Sequence, residues 1–417
     1  MAGAVDVLRY ASVRRYLLSS TLSSGGLMLL VTGLYKQVYD ITGDTLDIGL
    51  IGLAQFVPAL LLVLVSGMVA DRFDRRRIVA LFLLGRAGCA AMLVAYTISD
   101  STSVWPLFAT AFVLGVVDAM LAPAHRSMPP LVSPDGLLPR VVGMWTATFT
   151  SAMIVGPALG GFLYSIDPSL PYIVAGAVFV TATVPVLAIE YQRAAVPVRE
   201  RPTLRMALEG LHFVRRTPVV LAAISLDLFA VLFGGAVALI PAVAEDRLGV
   251  GDIAYGWLRA APGIGAGLMA IVLAVWPVRR RVGPTLLMVV AMFGFGTIVF
   301  GITRNYAVAF AALVVLSGAD MISMYIRGSL VPLVTPDDQL GRVTAVEGVF
   351  IGASNELGAF ESGVAASALG VPLAIAAGGV ATVAIAGTYF LLFPSLRRID
   401  TFEELDRPAE TAVGSRG

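Results

Sequence analysis

The chain has 417 residues, 58% of them hydrophobic and 14% charged, with a mean hydropathy of +0.86 and a formal net charge of +1. A soluble domain carries about 25% charged residues, so the polar shell of a soluble enzyme or a nucleic-acid binder is missing. One cysteine, Cys89, and two separated histidines, His125 and His212, leave no disulfide framework and no metal cluster to build.

A helix crosses the hydrocarbon core with about 20 apolar residues. Met1 to Arg15 is polar and basic, and the first apolar run continues as a full span, so no cleavable leader is read there. Spans are predicted at roughly 16–38, 47–70, 77–98, 103–125, 141–164 and 170–190. The stretch 191–217 is broken by Pro197 and Pro202. It then repeats apolar residues at Leu204, Ala207, Leu208, Leu211 and Val214, the spacing of a short amphipathic helix on the membrane surface. Six more spans are predicted at roughly 218–242, 251–276, 283–303, 306–327, 342–364 and 371–393, before a polar tail. These runs are too long for barrel strands, so the fold class is an all-α membrane protein of 12 transmembrane helices. The domains are a six-helix half over 1–190, a linker over 191–217, a second six-helix half over 218–393 and a tail over 394–417.

Basic residues in short loops set orientation. With the N-terminus inside, the inner segments hold Arg14, Arg15, Arg72, Arg75, Arg76, Arg77, Arg279, Arg280, Arg281, Arg397 and Arg398. The opposite loops hold Asp40, Asp44, Asp47, Asp100, Asp167, Glu245, Asp246 and Asp252, with few bases. Both termini are therefore expected in the cytoplasm.

The sequence Pro130-Leu-Val-Ser-Pro-Asp135 returns 202 residues later as Pro332-Leu-Val-Thr-Pro-Asp337. An acid precedes each copy, Asp118 and Asp320, and an arginine follows each, Arg140 and Arg342. Two apolar halves with loops in register read as a duplicated membrane transporter. The repeated loops, with Arg126 and Arg327 at the ends of spans four and ten, are candidates for one cytoplasmic gate.

Between spans two and three stands Gly67-Met-Val-Ala-Asp71-Arg72-Phe-Asp74-Arg75-Arg76-Arg77. It resembles the Gly-x-x-x-Asp-Arg-x-Gly-Arg-Arg signature of the major facilitator superfamily, with Asp74 in place of the usual glycine. The resemblance implies that Gly67, Asp71, Arg72, Arg75 and Arg76 belong to contacts that close the cytoplasmic side and break when the halves rock. In span five, Gly156-Pro157-Ala-Leu-Gly160-Gly161 resembles the core of the superfamily's antiporter motif, with Ala147 where a further glycine is usual. A proline removes one helical hydrogen bond and bends the helix, and the motif implies export rather than import. The arginine usual in the middle of span four is absent between Leu107 and Ala119, which departs from the standard coupling scheme. The stretch from Asp320 to Gly363, with Asn355-Glu356 and Glu361, is similar to the branch that holds the enterobactin exporter and related drug efflux proteins. Glu347 and Ala359 depart from that branch.

An ionisable side chain at mid-bilayer costs about 2.5–3.5 kcal/mol on insertion scales and needs a role or a partner. Asp227 in span seven and Glu356 and Glu361 in span eleven are the candidates for proton coupling; a fixed pairing, for example with Arg259, is the alternative. Aromatic and polar residues suit a large, partly apolar substrate. The candidate cavity residues are Tyr35, Gln37, Gln55, Phe56, Trp145, Phe149, Phe229, Phe233, Trp257, Arg259 and Asn355.

No Gly-x-x-x-x-Gly-Lys-[Ser/Thr] loop is present, which argues against an ATP-driven pump. No cofactor is called for, and the basic loops speak for topology rather than nucleic acid. The expectation is a monomeric secondary transporter in a bacterial inner membrane, not an enzyme. Surrounded by lipid, it would exchange protons for an amphipathic small molecule such as a siderophore or drug by alternating access. A broad multidrug exporter and a transporter-like receptor or scaffold without flux are the alternatives.

Overall fold

The structure is a computed structural model that describes residues 6–99, 101–190 and 204–405, without the side chains of residues 6, 63, 64, 71 and 204–208. Twelve long helical elements make up the fold. In the first half they are α1 Ala11–Thr42, α2 Thr45–Arg72, α3 Arg75–Ile98, α4 Trp105–Arg126, α5 Leu138–Tyr164 and α6 Leu170–Leu187. In the second they are α7 Pro218–Phe233, α8 Asp252–Val275, α9 Val282–Ile302, α10 Tyr306–Val334, α11 Asp337–Leu369 and α12 Val371–Leu392. By length and composition, eleven segments among the described residues are apolar enough to cross a membrane. The helix left out of that count is α11, whose apolar run is interrupted by Glu347, Glu356 and Glu361. The helix richest in candidate chemistry is thus the one that hydropathy recognises least.

Local chemistry sets the breaks. Gly43 adopts a left-handed φ of 60° and ends α1, and Asp44 then caps α2 by accepting from Leu46 N at 2.9 Å. Asp74 caps α3 in the same way, accepting from Arg76 N at 2.9 Å. Helix α7 stops at Gly234 and Gly235 and resumes as short turns to Arg247. A Cβ on Gly235 would lie 2.8 Å from the Gly358 carbonyl, so the break lets α7 touch the backbone of α11.

The first half has one apolar core around Leu30, Leu83, Leu114, Tyr172 and Phe179. The second half has two, one near Leu286 and Leu330 and one near Tyr255 and Phe300. Helix Leu204–Arg216 forms within the linker. Its Val214 is 2% exposed in the second half's core, and a Cβ on Gly210 would stand 2.8 Å from the Arg342 carbonyl. This segment therefore docks on the protein at its C-terminal end, where the amphipathic pattern alone indicated a membrane surface.

Candidate functional site

The halves meet along two antiparallel helix pairs, α5 with α8 and α2 with α11. Glycines allow the contact. A Cβ on Gly161 would fall 2.3 Å from the Asp252 carbonyl oxygen and 2.6 Å from Gly256 Cα. A Cβ on Gly363 would fall 2.7 Å from the Thr45 carbonyl oxygen, and one on Gly49 would fall 3.1 Å from Phe360 Cα. All these contacts lie at the bundle end that carries the acidic loops. Toward the basic end the pairs part: Gly143 of α5 and Gly348 and Gly352 of α11 face open space. The result is a cleft between the halves, closed at the acidic end.

A polar network reinforces the closed end. The chain's one lysine, Lys36 of α1, is 7% exposed and donates to Asp40 on its own helix. It also meets Glu245 at 3.1 Å and Asp252 at 3.4 Å, both from the second half. Tyr39 donates to Asp246 across the same seam. Tyr255 donates to the Thr32 carbonyl at 2.9 Å, and Tyr164 donates to Asp40 at 2.8 Å. Sequence reasoning passed over Lys36; the available signal was a lysine four residues before Asp40, with three acids between 245 and 252.

Arg259 and Glu356 stand where the helix pairs begin to part. Glu356 reaches Gly52 of α2, 3.3 Å from where a Cβ would be. The Arg259 guanidinium lies 5.1 Å from the centre of the Tyr35 ring. Neither Arg259 nor Glu356 forms an ion pair among the described residues, so the expected alternative of an acid paired with Arg259 is not what the structure holds. Glu361 also lacks an ion pair there.

Asp227 is instead bound by Arg327 of α10 at 2.7 Å, the pair being 8% and 5% exposed. Asp320 and Ser323 line the same small cavity, which takes about one water at ≈ 10 Å³. In the first half Arg86 binds Asp118 at 2.6 Å and Ser23 Oγ at 2.8 Å. Arg126 and Arg140 are exposed and form no ion pair among the described residues. Arg342 pairs with Glu209 of the linker helix at 3.0 Å. The two copies of the repeated loop thus differ in their contacts.

Around the 67–77 loop, Gly67 faces open space, Arg72 is exposed, and the Asp71 side chain lies outside the described residues. Arg76 grips Asp74 at 2.8 Å and the Ile189 carbonyl at 2.6 Å, tying α3 to the end of α6, and Arg75 sits half-buried beside it. In span five, Gly156 lets α5 meet Met28 of α1, Gly160 meets Thr32, and Gly161 and Pro157 meet Gly256. The motif acts here as a close-packing surface for two helices at once.

The remaining cavity candidates divide. Gln37 is turned into the first half, donating to Thr97 at 2.9 Å and accepting from Tyr172 at 2.7 Å. Gln55 Nε2 and Trp145 Nε1 are buried without partners. Phe149, Phe229 and Trp257 are exposed, while Phe56 and Phe233 are half-buried. Asn355 is exposed and donates to the Ile351 carbonyl of its own helix at 2.9 Å. Among the described residues no group of three His, Cys, Asp or Glu could hold a metal ion.

Two six-helix halves around a cleft open at one end define a multi-pass membrane transporter, not an enzyme. The family model described as Major Facilitator Superfamily matches residues 16–359, and the chain belongs to that superfamily. It is 28% identical over 381 residues to the uncharacterized MFS-type transporter YfiS of Bacillus subtilis (strain 168), covering 86% of this chain and 87% of that one. It is 26% identical over 388 residues to the enterobactin exporter EntS of Escherichia coli O1:K1 / APEC, covering 88% and 90%. Among solved structures, a point mutant of the nucleoside transporter NupG matches with a TM-score of 0.71 at 13% identity, covering 92% of this chain and 100% of that one. That likeness concerns the fold alone.

Proposed function

We infer that this transporter is a secondary active exporter that exchanges protons for an amphipathic small molecule by alternating access. The observation that carries the reading is the half-interface, sealed at the acidic end and parted toward the basic end, with an unpaired carboxyl, Glu356, where it parts. The positive-inside rule assigns the basic end and both termini to the cytoplasm. On that assignment the cleft is loaded from the cytoplasm of a bacterial inner membrane. The halves 1–190 and 218–393 then rock as two bodies, with 191–217 as their tether. The span-five motif and the similarity to the enterobactin exporter support export, of a siderophore or a drug-like compound.

Asp227, Glu356 and Glu361 are the proposed proton carriers. Glu356 and Glu361 are free to take a proton directly, whereas Asp227 must release Arg327. Inward proton movement gains about 2.3 kcal/mol per 100 mV of membrane potential. Proteoliposomes with an imposed proton gradient, loaded with a siderophore or with cationic dyes, test the reading. Gradient-dependent extrusion that falls in Glu356→Gln and Asp227→Asn is expected. Extrusion unchanged by collapse of the gradient refutes the proton coupling, and extrusion of every dye alongside the siderophore selects the multidrug form.

A further inference from the structure

Among the described residues, two opposite charges stand at the cleft without an ion pair. The Arg259 guanidinium of α8 lies 5.1 Å from the centre of the Tyr35 ring of α1 and forms no ion pair among the described residues. The Glu356 carboxylate of α11 sits against Gly52 of α2. Both lie within electrostatic reach of Tyr35, yet they do not form an ion pair with each other. The four helices involved come from both halves, two from each. Among the described residues the other buried cations each meet an acid: Arg86 meets Asp118, Arg327 meets Asp227, and Lys36 meets three acids. A lone cation and a lone anion held apart at one level are costly in a low-dielectric site, and a ligand that supplies both counter-charges removes that cost.

We propose that this cleft takes a substrate with an anionic and a cationic group on a flat apolar body: the anion on Arg259, the cation on Glu356, the body against Tyr35. The guanidinium offers a planar fork for a carboxylate or a similar oxyanion. The aromatic face accepts a flat ring. A proton on Glu356 removes the partner of the substrate's cationic group, so proton and substrate exclude each other, as exchange requires. The titratable and charged groups around Glu356 are Asp118 of α4, itself held by Arg86, and Tyr35 of α1, which Arg259 of α8 meets from the other side. The substrate class deepens the export reading above, but the binding site does not depend on the direction of transport.

The test is equilibrium binding of radiolabelled probes to the full chain in detergent. The probes are L-tryptophan and tryptophyl-glycine, each compared with its methyl ester, which lacks the anion, and its N-acetyl form, which lacks the cation. At least one zwitterion is expected to bind about tenfold or more tightly than both of its derivatives. Arg259→Gln is expected to erase the preference over the ester, and Glu356→Gln the preference over the N-acetyl form. Arg259→Lys, which keeps the charge, retains part of the preference and guards against misfolding of the glutamine variant. Binding that is equal for all three forms, absent for both zwitterions, or indifferent to Arg259→Gln in a folded sample overturns the proposal. Charge-selective binding without proton-driven extrusion strikes the export reading alone; extrusion of neutral dyes without charge selection strikes only the substrate class.

Discussion

Removal of the Lys36 charge should open the sealed end of the cleft. Lys36 pairs with Glu245 and Asp252 across the half-interface, and those carboxylates are 49% and 30% exposed. At such exposure each pair contributes about 1 kcal/mol rather than the full Coulomb energy. Lys36→Met then costs the closed state about 2 kcal/mol, about 30-fold in the ratio of closed to open molecules. The variant also leaves Asp40, Glu245 and Asp252 clustered without a cation, and their repulsion acts in the same direction. Spin labels at 166 and 253, on opposite sides of this seam, report the separation in a Cys89→Ser background; Cys89 is 1% exposed and is the chain's one cysteine. The expected outcome is a short distance in the parent and a second, longer population in Lys36→Met, with Lys36→Arg near the parent. Identical distance distributions in the parent and Lys36→Met would refute the assignment of this network as a latch.

The same label pair tests Gly161, where a Cβ would come within 2.3 Å of the Asp252 carbonyl; Gly161→Ala should lengthen the distance by steric pressure, independently of charge. Asp227→Asn leaves Arg327 buried without its counter-ion and should cost about 3–5 kcal/mol of stability, read as a lower melting temperature. Adding Arg327→Gln should recover part of that loss, and a single variant as stable as the parent contradicts the pairing. Asp74→Ala removes the cap of α3 and should cost about 1 kcal/mol, with Asp74→Asn close to neutral in the same thermal melt.

The fold was legible because apolar run length and loop charge are local properties, readable residue by residue. The positions of Gly156, Pro157, Gly160 and Gly161 were legible too, although the helices they admit, α1 and α8, were not. Ion-pair partners were harder to read. Asp227 and Arg327 are 100 residues apart and meet only through the packing of α7 on α10. Arg86 and Asp118 are 32 apart and meet on adjacent helices. Arg126, expected at the cytoplasmic gate, is instead exposed and forms no ion pair among the described residues. Lys36 was invisible for a related reason: its partners Glu245 and Asp252 lie in a loop of the other half, and nothing in a linear pattern marks a contact between halves.

The repeat makes the two halves comparable, and their charge balance differs. Asp320 is the counterpart of Asp118, since 320 − 118 equals the repeat offset of 202. Arg327 is likewise the counterpart of His125, which lies 3.0 Å from Ser20 Oγ. In the first half one acid, Asp118, meets one guanidinium, Arg86, and the pair is neutral. In the second half Asp227 is bridged to Arg327, and a second acid, Asp320, lines the same cavity, which takes about one water, without an ion pair of its own among the described residues. An ionised Asp320 adds one negative charge beside that neutral bridge, and a single proton removes it. Asp320→Asn fixes the neutral form while leaving the Asp227–Arg327 bridge intact. The variant is therefore expected to keep its melting temperature and to weaken the dependence of transport on the proton gradient, while Glu356 and Glu361 still carry protons. Asp118→Asn, in contrast, leaves Arg86 without a counter-ion and should lower stability. Equal losses of gradient dependence in the two variants would mean that the excess carboxyl of the second half has no special part in coupling.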